Sequence, residues 1–99
     1  MAWSADLQET TDRLIAALIE RCQQEIGRKR TITPQTEPCR QLGICEEDLD
    51  DLQINAAKDV GLRPPLRGEP LVIPWHGPNM PSTIADLAGW LAANGRPLA

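Results

Sequence analysis

Apolar residues recur at three- and four-residue spacing through the first quarter of the chain, which is the period of one face of an α-helix. Ser4 or Asp6 is placed to accept the first free backbone amides, and Gly27 follows the last apolar residue. The pattern predicts an amphipathic helix of about six turns that needs facing helices to cover its stripe. The stripe comprises Leu7, Leu14, Ile15, Leu18, Ile19, Cys22 and Ile26.

A short connection and a short helical turn come next. Residues 28–35 contain β-branched residues and a proline, so they predict an extended connection. Thr36 is placed to cap a turn in which Pro38 takes a tolerated first helical position and Gly43 closes the helix.

A second long helix is predicted from Cys45 or Glu46 to Val60, because apolar residues again fall on one face. Gly61 follows it as a left-handed stop. The predicted buried face is Leu49, Leu52, Ala56 and Val60.

The stretch 61–82 holds six prolines, so no long helix is expected there. We expect it to lie extended across the open end of a helical bundle, with an apolar side chain as the plug. The candidates for that plug are Leu71, Ile73 and Trp75.

The last helix is predicted over 83–94, with Ser82 as its cap and Asn94 with Gly95 at its end. Its expected buried stripe is Ile84, Leu87, Ala88 and Leu91. Residues 1–99 therefore predict a single all-α domain. Its architecture is a small antiparallel helical bundle of three main helices and a short helical turn.

Composition narrows the classes of protein that fit this pattern. The chain is 41% apolar and has three Trp but no Phe or Tyr, so the core must be aliphatic. A net charge of -4 argues against nucleic acid as a partner, and we interpret the short basic run 28–30 as a solvated surface. No apolar run reaches the roughly 18 to 20 residues that span a bilayer, so no membrane role is expected.

The spacing of the cysteines predicts little chemistry. Cys22, Cys39 and Cys45 are odd in number and no signal peptide precedes them, which predicts reduced thiols and a cytoplasmic location. Cys45 with His76 as base would make a nucleophilic pair, but nothing in the spacing brings them together. Cys39, Cys45 and His76 match no common zinc spacing. We therefore expect no catalytic residue, no metal and no cofactor.

The residues Leu42, Gly43 and Ile44, followed by Leu49, carry a resemblance to a known family. They are similar to the leucine-glycine-apolar-aspartate-serine-leucine motif that leads into the second helix of acyl carrier proteins. The order of helices also resembles that family over most of the chain, from Leu7 to Gly95. The resemblance implies the same small helical bundle.

The motif departs from the family at the residue that matters for its chemistry. Between Ile44 and Leu49 stand Cys45, Glu46, Glu47 and Asp48, and none of them is serine. Asp48 occupies the position to which the family attaches phosphopantetheine. A carboxylate has no hydroxyl to accept that group, so the resemblance implies a divergent, carrier-like domain without the prosthetic group. The chain most resembles carrier-like domains of bacteria that lack this serine.

Five carboxylates crowd the start of this helix, and they have two interpretations: Glu46, Glu47, Asp48, Asp50 and Asp51. One is a favourable interaction with the positive end of the helix dipole. The other, implied by the resemblance, is an acidic face that binds the basic surface of a protein partner such as a fatty-acid or polyketide-type enzyme. The expected function is a non-catalytic interaction module.

Two other functions stay open. One is an acyl or peptidyl carrier with an unconventional attachment. The other is a small DNA-binding helical regulator, indicated only by the segment TIADLAGWLAANGR at 83–96.

Overall fold

The computed structural model describes residues 2–27, 30–45, 47–63, 83–94 and 96–97. Over these ranges the chain forms four helices and one short strand pair. The helices are α1 (Ala2–Ile26), α2 (Pro38–Leu42), α3 (Glu47–Asp59) and α4 (Ile84–Asn94). Helix α1 packs against both α3 and α4, and α3 also contacts α4. The predicted all-α bundle of three main helices and a short helical turn is confirmed.

The core is aliphatic, as predicted, and lies between α1, α3 and α4. Leu14, Leu18 and Cys22 supply the fully buried part of the α1 stripe. The other helices and two loop positions contribute Ile32, Ile44, Leu49, Leu52, Ala56, Ile84, Leu87, Ala88 and Leu91. The predicted stripe of α4 is thus buried throughout. The predicted face of α3 is buried up to Ala56, whereas Val60 packs at its edge.

Glycine ends three of the helical segments, as the sequence predicts. Gly27, Gly43 and Gly61 all have positive φ, at 82°, 73° and 78°. At Gly43 the left-handed backbone lets its own amide donate to the carbonyl of Cys39, 3.2 Å away. The chain therefore reverses directly after α2 and reaches α3 within a few residues.

The predicted N-caps of α1 and α4 are wrong. Helix α1 already begins at Ala2, so Ser4 and Asp6 lie inside it. At α4 the cap is Thr83: the Asp86 amide donates to Thr83 Oγ1 (3.1 Å), and the Thr83 amide donates to Asp86 Oδ2 (3.2 Å). This reciprocal pair satisfies two amides at once, as in a capping box. Ser82, the predicted cap, lies outside the described residues.

The extended connection before α2 also serves α4. Ile84 and Ala85 donate their amides to the carbonyls of Thr36 and Pro34, both at 2.9 Å. These amides are among the first of α4, which have no partner within the helix. Thr36 does not cap α2 as predicted; it is buried, and its hydroxyl accepts from the Thr33 amide.

The strand pair is a feature that the sequence did not predict. β1 (Leu62–Arg63) pairs antiparallel with β2 (Arg96–Pro97), with Leu62 opposite Pro97. It joins the chain after α3 to the chain after α4. The greater part of the proline-rich connection, residues 64–82, lies outside the described residues together with Gly95.

We predict opposite effects for the same substitution at two glycines. Gly43→Ala should lower the free energy of unfolding by about 1 kcal/mol, because alanine is strained at positive φ. Gly89→Ala, inside α4, should raise it by about 0.5 to 1 kcal/mol, because alanine favours helix. An added Cβ would meet no atom within 4 Å at either position.

Urea unfolding of the two variants beside the wild type measures both values. Equal signs for the two substitutions would contradict the left-handed assignment at Gly43.

Candidate functional site

The start of α3 places carboxylates at the positive end of the helix dipole. The Asp48 amide donates to the Cys45 carbonyl (3.1 Å), which begins the helix. Glu47, Asp48 and Asp50 fall in the first turn. Negative charge is favoured at this end of a helix, so part of the cluster stabilises α3 locally.

A cleft of about 120 Å³ lies between α1 and α3. Its lining consists of Arg21, Gln24 and Glu25 of α1 and Asp48, Asp51, Leu52 and Asn55 of α3. Pockets for drug-sized ligands are usually roughly 300 to 1,000 Å³. The cleft is therefore too small for such a ligand but has room for the end of one long side chain.

The predicted acidic residues divide between two sides of α3. Asp48 and Asp51 are exposed and line the cleft. Asp50 is half-buried and lies about 200° around the helix from Asp48, because each residue advances the helix by about 100°. Glu47 is exposed but is not part of the lining, and Glu46 lies outside the described residues.

Arg21 is the cation of this cleft, and it is already paired. Its Nε and Nη2 donate to the two carboxylate oxygens of Asp59, each at 2.7 Å. This hydrogen bonding holds the pKa of Asp59 below its ordinary value and raises that of Arg21. Because the guanidinium is committed to Asp59, it does little to neutralise Glu25, Asp48 and Asp51.

Glu25 is a site residue that the sequence analysis missed. It lies on α1, more than 20 positions before the acidic segment, and only the packing of α1 on α3 brings it to Asp48. The sequence held one signal for Glu25, which is its position on α1. Glu25 lies one helical turn after Arg21, and the two residues flank the buried Cys22.

The prediction of three reduced thiols is wrong for Cys39 and Cys45, which form a disulfide. The left-handed turn at Gly43 brings their Cα atoms to 4.5 Å, a closeness that the sequence spacing did not reveal. Neither sulfur in this form is a thiolate nucleophile or metal ligand. The predicted cytoplasmic location stays a prediction, and disulfides are more common in oxidising compartments.

Cys22 remains a free thiol and is fully buried. Burial, with a smaller contribution from the Glu25 carboxylate, raises the pKa of this thiol to about 11. Because the thiolate is the reactive form, Cys22 is inert at neutral pH.

Other candidates contribute no site in the described part of the chain. Arg30 donates to the Gln41 carbonyl (2.8 Å), and the rest of the basic run lies outside the described residues. Trp90 packs against the core, whereas Trp75 and His76 are not among the described residues. No group of three His, Cys, Asp or Glu side chains that could hold a metal ion occurs in the described ranges.

The Arg21–Asp59 pair predicts a specific pH dependence of stability. Because the folded-state pKa of Asp59 is lowered, the pair stabilises the protein above the unfolded-state pKa of about 3.9. That stabilisation is lost as the pH falls through the lower folded-state pKa. Asp59→Asn should therefore lower the thermal midpoint at pH 7, and its difference from the wild type should shrink below about pH 4.

Thermal unfolding from pH 7 to pH 3 at low ionic strength measures this difference. Asp51→Asn removes the same charge from the same helix without breaking the ion pair, so it serves as the control. A midpoint for Asp59→Asn that equals the wild type at pH 7 would contradict the prediction.

Comparison with known proteins identifies no relative for this arrangement. No protein-family model, curated protein sequence or solved structure matches the chain. Among the described helices, none combines the length and the apolar character needed to cross a membrane.

Proposed function

We propose that this protein is a non-catalytic interaction module that binds the basic surface of a protein partner at the cleft between α1 and α3. The observation that carries the proposal is the composition of that cleft. Glu25, Asp48 and Asp51 line it together, while Arg21 is held by Asp59. A cationic side chain of a partner would find carboxylates from both helices.

The size of the cleft supports a side chain as its occupant. A volume of about 120 Å³ is close to that of cavities that hold one small ring. A lysine or arginine end fits this space, and Leu52 at its wall can contact the aliphatic stem. The surrounding negative charge, part of a net -4, accelerates encounter with a basic surface.

The carrier-like character of the module is part of the proposal. Asp48 is exposed in the first turn of α3, directly after the Leu42–Gly43–Ile44 triplet and its turn. If this position corresponds to the family's attachment serine, the kind of enzyme surface that binds this helix in carrier proteins would also bind α3 here. We therefore propose a fatty-acid or polyketide-type enzyme as the class of partner, and no phosphopantetheine on the chain.

The two alternative functions have less support. The segment that could indicate DNA binding contains α4, whose Ile84, Leu87 and Leu91 are buried in the core. Its apolar face is therefore committed to the fold, and its first turn carries Asp86 rather than a basic residue. An unconventional carrier would need an attachment residue other than a serine at the start of α3, because the two serines lie elsewhere in the chain. Ser4 lies inside α1, and Ser82 lies outside the described residues.

We predict that reversing charge in the cleft weakens partner binding. The variant Asp48→Lys with Asp51→Lys should lose about tenfold or more in affinity, equal to about 1.4 kcal/mol. The matched control is Glu9→Lys with Asp12→Lys on the exposed side of α1. Each pair changes the net charge from -4 by +4, to zero, so only the position of the change differs.

The experiment compares proteins retained from a cell extract by the tagged wild type, the cleft variant and the control variant. Partners kept by the control but lost by the cleft variant are then titrated by calorimetry at two salt concentrations. Circular dichroism checks that both variants are folded. Equal loss in both variants would assign binding to net charge alone and contradict the cleft as the site.

We also predict that the chain is not phosphopantetheinylated. Incubation with coenzyme A and a phosphopantetheinyl transferase should leave the intact mass unchanged, because Asp48 has no hydroxyl nucleophile. Asp48→Ser tests the correspondence of positions: it should gain the pantetheine mass when the wild type does not.

An acyl carrier protein in a parallel reaction confirms that the transferase is active. An adduct on the wild-type chain would overturn the proposal in favour of an unconventional carrier. An unmodified Asp48→Ser variant would contradict the assignment of Asp48 to the attachment position.

A further inference from the structure

The Cys39–Cys45 disulfide lies at the surface of the protein. Cys39 is exposed and Cys45 is half-buried. The pair encloses the part of α2 from Cys39 onward and the turn at Gly43, directly before the acidic start of α3. A reductant in solution therefore reaches Cys39 without any part of the core opening.

The turn that brings the two cysteines together is also held by other interactions. The amide of Gly43 donates to the Cys39 carbonyl (3.2 Å), and that of Ile44 donates to the Pro38 carbonyl (3.0 Å). Pro38 and Ile44 are both buried and anchor the two ends of the turn in the protein. Since these contacts do not involve the sulfurs, the turn keeps the thiols close after the disulfide is reduced.

The disulfide is also a weak crosslink for stabilising the fold. It closes a loop with a sequence separation of only 6, and a crosslink removes less entropy from the unfolded chain when the loop is short. The helices of the core contact each other without it.

The remaining cysteine does not compete in this chemistry. Cys22 is fully buried among core side chains, and its thiol is protonated at neutral pH. Exchange with reductants and oxidants is therefore confined to Cys39 and Cys45.

We propose that Cys39 and Cys45 form a reversible thiol–disulfide exchange site whose substrate is a dithiol reductant of the thioredoxin type. Cys39, the more exposed residue of the pair, supplies the sulfur that is attacked. The site is separate from the acidic cleft and does not depend on the function proposed for it.

The exchange balances in two steps. A thiolate of the reductant attacks Cys39 Sγ, forms a mixed disulfide with it, and releases Cys45 as a thiolate that takes up a proton. The second thiol of the reductant then attacks the reductant's first sulfur in that mixed disulfide, and Cys39 leaves as a thiolate that takes up a proton. The protein gains two electrons and two protons, and the dithiol becomes a disulfide; the reverse reaction with that disulfide reoxidises the protein.

The test is reduction of the full, folded chain with millimolar dithiothreitol at neutral pH, followed by alkylation with iodoacetamide. Intact mass should increase by two alkyl groups without denaturant, and by a third, on Cys22, only after denaturant is added. Far-UV circular dichroism should not change. Oxidised glutathione, added after removal of the dithiothreitol, should restore the disulfide.

Two outcomes overturn the proposal. One is a disulfide that resists reduction until denaturant is present, which would make it a structural crosslink. The other is loss of helix upon reduction. Cys22→Ala is the matched control and should still gain two alkyl groups in the native state.

Single variants test which sulfur is attacked. Cys45→Ser, which keeps the exposed Cys39, should form a mixed disulfide with oxidised glutathione about threefold or more faster than Cys39→Ser, because exchange depends on access. A faster reaction of Cys39→Ser would overturn the assignment of Cys39.

Discussion

Burial of the α1 stripe between α3 and α4 is the interaction on which the rest of the structure depends. Leu14, Leu18 and Cys22 have no exposed surface, and each fully buried leucine contributes roughly 1.5 to 3 kcal/mol. The chain has no Phe or Tyr, and Trp90 is only partly buried against the core, so the buried residues are small and aliphatic. Many aliphatic contacts must form together, which requires α3 and α4 to be positioned before any one helix is stable.

The cleft is a consequence of this packing. Helix α3 must turn Leu49 and Leu52 toward the core, and this rotation carries Asp48 and Asp51 to the side that faces the end of α1. Gathering these carboxylates with Glu25 is electrostatically unfavourable. The Arg21–Asp59 pair bridges the same two helices near the other end of α3, while the aliphatic core supplies most of the contact between them.

Local signals predicted the elements well, because a helical period and a left-handed glycine act over a few residues. The α4 stripe and the stops at Gly27, Gly43 and Gly61 needed no knowledge of distant parts of the chain. The caps were less predictable, since several neighbouring side chains can serve. Thr83 serves α4 because Asp86 lies three residues further on and returns the hydrogen bond.

The sequence by itself determined the helical class, the aliphatic core and the acidic start of α3, since these follow from residue type and from spacing along the chain. Tertiary structure decided which carboxylates act together: Glu25 joins Asp48 and Asp51, while Asp50 turns away. It also decided the pairing of Cys39 with Cys45, because the buried anchors of the turn bring their Cα atoms to 4.5 Å. The meeting of Glu25 with α3 depends on how rigid helices pack in space, which no local pattern of residues encodes.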